Sequence, residues 1–252
     1  MLVVGGKLKA MVLAAGYGTR MGDLTQEIPK PMLDVQGYPI LAYIIRHLVR
    51  HSFDQIVINL HFMPQIIQEY FGDGSRWGVH LTYSYEPELL GTAGGVKNVE
   101  SFFQSEDVFL IHYGDVLTDQ DFTTMLHFHI QHKALATLLL HQRPNSNSVV
   151  TLDSENCITS FLEHPTEDQR QDVTMPWVNS GIYVCSPEIF NFIPEGQPVD
   201  LPRHVFVPQV CGGRLFGFPL SGYRCAIDSP QRLEEARRSL AEGLSGLPIF
   251  PG

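Results

Sequence analysis

The sequence predicts an α/β fold with a mixed, mostly parallel central sheet. Two observations carry this. Short apolar runs alternate with amphipathic helical stretches through the first half of the 252 residues, the pattern of parallel strands joined by helical crossovers. The first run, "KAMVLAA", ends in a glycine-rich loop, as a strand buried on both faces does before a ligand-binding turn.

The elements follow in order. Residues 9–15 form the first strand. From Pro39, "PILAYIIRHLVRHSF" places Ile40, Leu41, Ile44, Ile45, Leu48 and Val49 on one helical face, with the proline in the first turn. "QIVINL" is a second buried strand, and "PQIIQEYF" a short helix opened by proline. "VHLTYSYE" alternates and reads as a third strand; "GGVKNVESFF" is helical. "DVFLIHYGD" is a fourth strand, followed by a helix over "DFTTMLHFHIQHK" and a strand "ALATLLLH". After Arg143, "SVVTLD" and "CITSFLE" suggest an antiparallel pair around "SEN". "VNSGIYVCS", a short helix at "PEIFNFI" and a strand–turn–helix from Leu215 to Leu244 complete the chain. Residues 1–8 read as a flexible leader and 243–252 as a loose tail. Between them, 9–242 read as one domain with a nucleotide half (about 9–142) and an acceptor half (about 143–242).

Composition excludes several classes. Hydrophobic residues make up 44% and charged residues 17%, which is ordinary globular usage. The formal net charge of −10 argues against a nucleic-acid partner. The apolar start is interrupted by lysines and runs straight into the glycine loop, unlike a signal peptide. No stretch is long enough to span a membrane. Cys157, Cys185, Cys211 and Cys225 are widely spaced, with no C-x-x-C pair. They read as thiols of a reducing, cytoplasmic compartment.

The glycine loop, "LAAGYGTRMGDLTQEIPKPM", carries the chemistry. Gly16, Gly18 and Gly22 let backbone N–H groups approach a phosphate. The Walker G-K-[ST] is absent, and the spacing is G-x-G-x-x-x-G in place of the dinucleotide G-x-G-x-x-G. Arg20 supplies a fork of donors suited to an anionic oxygen cluster. Pro29 and Pro31 restrict the backbone around Lys30, as rigid placement of a point charge requires.

These residues resemble the signature of the sugar-1-phosphate nucleotidyltransferases, or nucleotide-diphosphate-sugar pyrophosphorylases. The matching blocks are "LAAGYGTRM", "PKPML", "ELLGTAGGV", "HYGDV", "FLEHP", "VNSGIYV" and "GYRCAIDSP", spanning about Lys9 to Ala236. The flavour is nearest the mannose-1-phosphate guanylyltransferases, without the left-handed β-helix that some members carry. The resemblance implies a Rossmann-like three-layer nucleotidyltransferase domain, a nucleoside triphosphate and a sugar 1-phosphate as substrates, Mg²⁺ as cofactor, and compatibility with a homo-oligomer. By that analogy Arg20 and Lys30 are catalytic. The segment Leu13, Ala14, Ala15, Gly16, Gly18 and Thr19, together with Glu86, Gly91 and Thr92, binds the nucleotide. Glu163, His164, Asn179 and Gly181 hold the sugar phosphate. Asp115, at a strand end, takes the metal.

Three positions depart from the family pattern. His164 replaces an expected Lys, Ser148 an expected Gly, and Ala226 an expected metal-binding Asp. Asp228 stands two residues beyond Ala226, where it reaches the metal only if the strand bends or bulges. A catalytically weak regulatory subunit is the rival that these losses favour. A glycosyltransferase fits less well, because "DQD" at 119–121 opens a helix instead of closing a strand.

Overall fold

The computed structural model describes residues 8–144, 146–166, 175–195 and 197–247. The leader, apart from Leu8, and the last five residues of the tail lie outside them. The strands are β1 (Leu8–Leu13), β2 (Asp34–Val35), β3 (Tyr38–Pro39), β4 (Phe53–Leu60), β5 (His80–Tyr85), β6 (Phe109–Tyr113), β7 (Val116–Thr118), β8 (Ala136–Gln142), β9 (Ser148–Leu152), β10 (Ile158–Glu163), β11 (Trp177–Cys185), β12 (Leu215–Pro219) and β13 (Arg224–Ala226). The helices are α1 (Ile40–Arg50), α2 (Pro64–Phe71), α3 (Gly91–Lys97), α4 (Glu100–Phe103), α5 (Phe122–His132), α6 (Val207–Gln209) and α7 (Pro230–Ala241). The chain forms two compact units. The first takes residues 1–89, 112–121 and 222–252, the second 90–111 and 122–221.

In the first unit β1 pairs with β4 and β4 with β5, all parallel. Ala10, Met11 and Val12 of β1 and Ile56, Val57 and Ile58 of β4 have no exposed surface, so these runs are apolar at every position instead of alternating. α1 follows Pro39, whose extended backbone ends the preceding strand. It is buried on more than the face expected: Ala42, Tyr43 and His47 are enclosed as well. α7 starts at a serine cap, the Ser229 hydroxyl accepting from Arg232 N–H, with Pro230 in the first turn. β13 pairs antiparallel with β7, setting Ala226 opposite Val116. Of the segment read as a loose tail, 243–247 are described. Gly246 donates to Asp119 at 2.8 Å and accepts from Arg50 at 2.9 Å, and Leu247 is buried.

In the second unit β8 is central, antiparallel to β11 and parallel to β12. β9 and β10 form the expected antiparallel pair, and β9 meets β11 at Val150 and Trp177. Phe103, Phe109 and Phe190 stack, with centroids 4.2 and 5.4 Å apart along the series. The helical reading of 94–103 divides into α3 and α4. A further helical run, 201–212, has no counterpart in the sequence reading. Pro202 sits in its first turn, where no backbone donor is lost.

Candidate active site

The glycine loop leaves β1 and turns through short 3-10 segments at Thr19–Thr25 and Lys30–Met32. Gly18 has φ +69°, and a Cβ there would stand 3.0 Å from Lys30 Cβ. The glycine is therefore needed for both its backbone angle and its approach to the lysine. Lys30 is only 7% exposed. Its ammonium donates to Asp115 Oδ2 at 2.6 Å, and the aspartate side chain stays 26% exposed. A buried lysine keeps its charge only beside such a partner. Asp115 follows Gly114, whose N–H donates to Leu13 C=O at 2.8 Å.

Arg20 is open to solvent and lies 4.0 Å from Asp228. β13 ends at Ala226, and the next N–H, from Ile227, donates to Asp115 C=O at 2.8 Å. Asp228 thus lies beyond the regular strand, so the i, i+2 displacement along a strand does not fix its position. Each cation singled out from the sequence meets one of the two aspartates.

Glu86 follows β5 and is 1% exposed. Its Oε1 accepts from Asn59 Nδ2 at 2.7 Å, while Asn59 Oδ1 accepts Ala14 N–H at 2.7 Å. His61 Nδ1 lies 2.7 Å from Glu86 C=O, and His61 Nε2 lies 2.7 Å from Tyr17 OH. Sequence reasoning missed Asn59 and His61. The available signal was a polar residue inside the apolar "QIVINL" run, which needs a partner when buried.

In the second unit Gly91 has φ +75°, and a Cβ would fall 2.4 Å from Val199 O, so no other residue fits there. The Thr92 hydroxyl accepts Leu201 N–H at 2.8 Å and donates to Asp200 Oδ1 at 3.3 Å. The Glu163 carboxyl is pushed up to about 7, first by burial and then by the charge of Asp200. Asp200 was not anticipated from the sequence. His164 is exposed at φ +52°, its N–H on Asn147 C=O at 2.7 Å. Asn179 uses its side chain internally: Nδ2 donates to Tyr183 OH at 2.8 Å, and Oδ1 accepts Gly181 N–H at 3.0 Å. These bonds brace an irregularity in β11, where Gly181 has φ +78°. Ser148 is buried, and its hydroxyl accepts Asn179 N–H at 3.1 Å.

Among the described residues no group of three or more His, Cys, Asp or Glu gathers to hold a metal alone. Asp115 and Asp228 are partly exposed carboxylates beside cations. That donor set fits Mg²⁺, which takes one or two protein carboxylates and completes its shell from phosphates and water.

A parallel α/β unit with a glycine loop, a rigidly held lysine and two strand-end carboxylates defines a domain suited to phosphorylated ligands. Comparison with known proteins gives the family. The nucleotidyl transferase family model matches residues 9–205. The chain is 36% identical to a UTP–glucose-1-phosphate uridylyltransferase of Synechocystis over 83% of its own length and 57% of that protein. It is 30% identical to a mannose-1-phosphate guanylyltransferase of Mycobacterium tuberculosis over 98% and 68%. Drosophila melanogaster mannose-1-phosphate guanylyltransferase catalytic subunit beta is 29% identical over 90% and 61%. The chain therefore spans well under the full length of these relatives. Among solved structures, HddC from Yersinia pseudotuberculosis superimposes with a TM-score of 0.78 at 21% identity, covering 92% of this chain and 99% of that one. A UDP-glucose pyrophosphorylase complexed with UDP-glucose gives 0.81 at 18%, covering 94% and 100%. The chain belongs to the nucleotidyl transferase family. Its fold is the mixed, mostly parallel central sheet with flanking helices seen in those structures.

Proposed function

We propose that the chain transfers a nucleotidyl group from a nucleoside triphosphate to a sugar 1-phosphate, giving a nucleotide-diphosphate sugar and pyrophosphate. The observation that carries this reading is the Lys30–Asp115 pair beside Gly18. A sugar-phosphate oxygen attacks the α-phosphorus in line; the bond to the β-phosphate oxygen breaks, and pyrophosphate leaves with the electron pair. The nucleophile is already ionised near neutral pH, so positioning and charge neutralisation suffice. The amides of Ala15–Thr19 cradle the triphosphate, Ala14 N–H being held by Asn59 Oδ1, and Arg20 grips it. Lys30 turns from Asp115 toward the α-phosphate. Mg²⁺, held by Asp115 and Asp228, would neutralise phosphate charge. Glu163 and His164 are assigned to the sugar phosphate, Asn179 and Gly181 to shaping β11 beside it, and Gly91 and Thr92 to the nucleotide.

For the base we propose guanine. A glutamate carboxylate can accept both adjacent donors of guanine's Watson–Crick edge. Glu86 is enclosed, so this reading requires binding to uncover it. Mannose 1-phosphate is the proposed acceptor, in line with the guanylyltransferase relatives. We place the reaction in the cytoplasm, supported by buried free thiols at Cys185 and Cys225. No helix among the described residues is long and apolar enough to cross a membrane.

The test is pyrophosphate release over GTP, UTP, dTTP, CTP and ATP, each with mannose 1-phosphate and glucose 1-phosphate. GTP with mannose 1-phosphate should give the highest kcat/KM. A tenfold advantage for UTP or dTTP removes the guanine assignment and leaves the transfer. No release with any pair removes the transfer and favours the regulatory reading that Ala226 and His164 suggest.

A further inference from the structure

Two side chains at the C-terminal end of β4 reach the glycine loop from one anchor, Glu86. Asn59 is 3% exposed. Its orientation is fixed by chemistry: Ala14 N–H can only donate, so Oδ1 faces it, and Nδ2 faces the Glu86 carboxylate. His61 is fixed in the same way. The Glu86 carbonyl can only accept, so Nδ1 carries a proton, and in the neutral ring Nε2 then accepts from the Tyr17 hydroxyl. The Tyr17 ring also meets the His61 and Phe62 rings, at 5.1 and 5.6 Å. The loop is thus tied at Ala14 through the side chain of Glu86 and at Tyr17 through its backbone.

We propose that Asn59 and His61 are positioning residues that hold the phosphate-binding loop in register with Glu86, so that the loop amides are ordered before an anion arrives. Glu86 sits where the base is assigned and the loop sits where the phosphates are assigned, so the pair links the two ends of a nucleotide. This rests on the proposed transfer reaction, but the link itself is a property of the free chain. Preordered donors act without reorganisation when charge develops, and a loop misplaced by about 1 Å costs up to about a hundredfold in rate.

Amide hydrogen exchange across residues 13–19 tests this without any reaction. Asn59→Ala removes both bonds and should speed exchange at Ala14 by about tenfold or more. Asn59→Asp alone sets two carboxylates against each other and should also loosen the loop. Combining it with Glu86→Gln reverses donor and acceptor between positions 59 and 86 while keeping an acceptor for Ala14, so protection should return. Tyr17→Phe, which leaves β4 intact, should loosen residues 17–19 only. In turnover, Asn59→Ala should lower kcat about tenfold at saturating substrates and leave the KM for sugar phosphate in place. Unchanged exchange in Asn59→Ala, or a folded double variant whose loop stays as loose as Asn59→Asp, overturns the inference. If the wild-type chain releases no pyrophosphate, the transfer reading falls while the exchange pattern still decides this one. A double variant with a re-ordered loop and an altered base preference supports both.

Discussion

The two units treat charge differently. In the first, the side chains singled out from the sequence neutralise one another: Lys30 meets Asp115 at 2.6 Å, and Arg20 lies 4.0 Å from Asp228. At the Glu163 site of the second, two carboxyl groups are held near each other. Glu163 lies in the field of Asp200 and is partly buried, and its carboxyl is pushed up to about 7. The first arrangement suits ligands that bring their own charge. Each lysine or arginine can exchange an aspartate for a phosphate, and each aspartate a cation for a metal ion. The second suits neutral hydroxyl groups, which donate to a carboxylate and accept from a carboxylic acid. A polyanionic nucleotide and a polyhydroxylated sugar differ in the same sense.

The largest effect expected of any substitution that breaks this contrast is at Lys30. Lys30→Ala should lower kcat at least about a hundredfold, the scale of losing one preorganised charge contact, and it leaves the Asp115 carboxylate without its ammonium. Near-normal turnover under saturating substrates would remove Lys30 from catalysis. Next comes the metal. Asp115→Asn should raise the Mg²⁺ concentration needed for half-maximal rate by about tenfold, on the scale of one lost charge contact. Asp228→Asn should raise it less, because Asp228 is only loosely engaged, 4.0 Å from Arg20. Chelation with EDTA should abolish turnover, and readdition of Mg²⁺ should restore it.

Stability against pH sharpens the second half of the comparison. Glu163 has a raised folded pKa, so it contributes stability that is full below the ordinary carboxyl value of about 4.5 and lost as pH rises through about 7. It is partly exposed, and solvent screening reduces the effect to the order of 1–2 kcal/mol. Glu163→Gln should flatten the fall in Tm between pH 5 and 8. An unchanged slope would contradict the raised Glu163 carboxyl.

Three buried histidines provide a control with the opposite sign. Burial pushes His47 and His112 in the first unit and His129 in the second down to about 4. They favour the folded state above the ordinary imidazole value of 6.5, and this is lost as pH falls from 6.5 toward 4. The acid limb of the Tm profile should therefore survive Glu163→Gln. A last substitution concerns Asn179, whose amide braces β11. Asn179→Ala should cost about 1–3 kcal/mol in urea unfolding, the scale of buried groups left unpaired. A loss confined to the KM of the sugar phosphate, with stability intact, would make Asn179 a ligand contact and not a brace.

Legibility in the sequence followed locality. The longer strands and most helices were readable because burial on both faces leaves apolar runs, as in β1 and β4, whereas the two- and three-residue strands β2, β3, β7 and β13 are too short to leave a pattern and were not read. The glycine loop and Lys30 were readable because their chemistry is contiguous: turn glycines, an arginine and a proline-flanked lysine lie within one short stretch. The ion pairs were not, since Lys30 and Asp115 stand 85 residues apart and no spacing rule joins them. Asn59 was hidden because a single buried amide in a strand carries no motif. Asp200 was hidden because its effect on Glu163 is tertiary and no spacing rule joins the two. Gly91 was singled out by resemblance, but its steric requirement against Val199 emerges only from tertiary structure.

The central claim is transfer of the α-phosphoryl-bearing nucleotidyl group, and its most direct test follows the label. The chain is incubated with Mg²⁺, mannose 1-phosphate and GTP carrying ³²P at either the α- or the γ-phosphate, and the products are separated. The account predicts α-label in a nucleotide-diphosphate sugar, γ-label in pyrophosphate, and loss of both signals in Lys30→Ala. Transfer of γ-label to the sugar phosphate, or retention of both labels in unreacted triphosphate for GTP and for every other nucleotide tried, would contradict it.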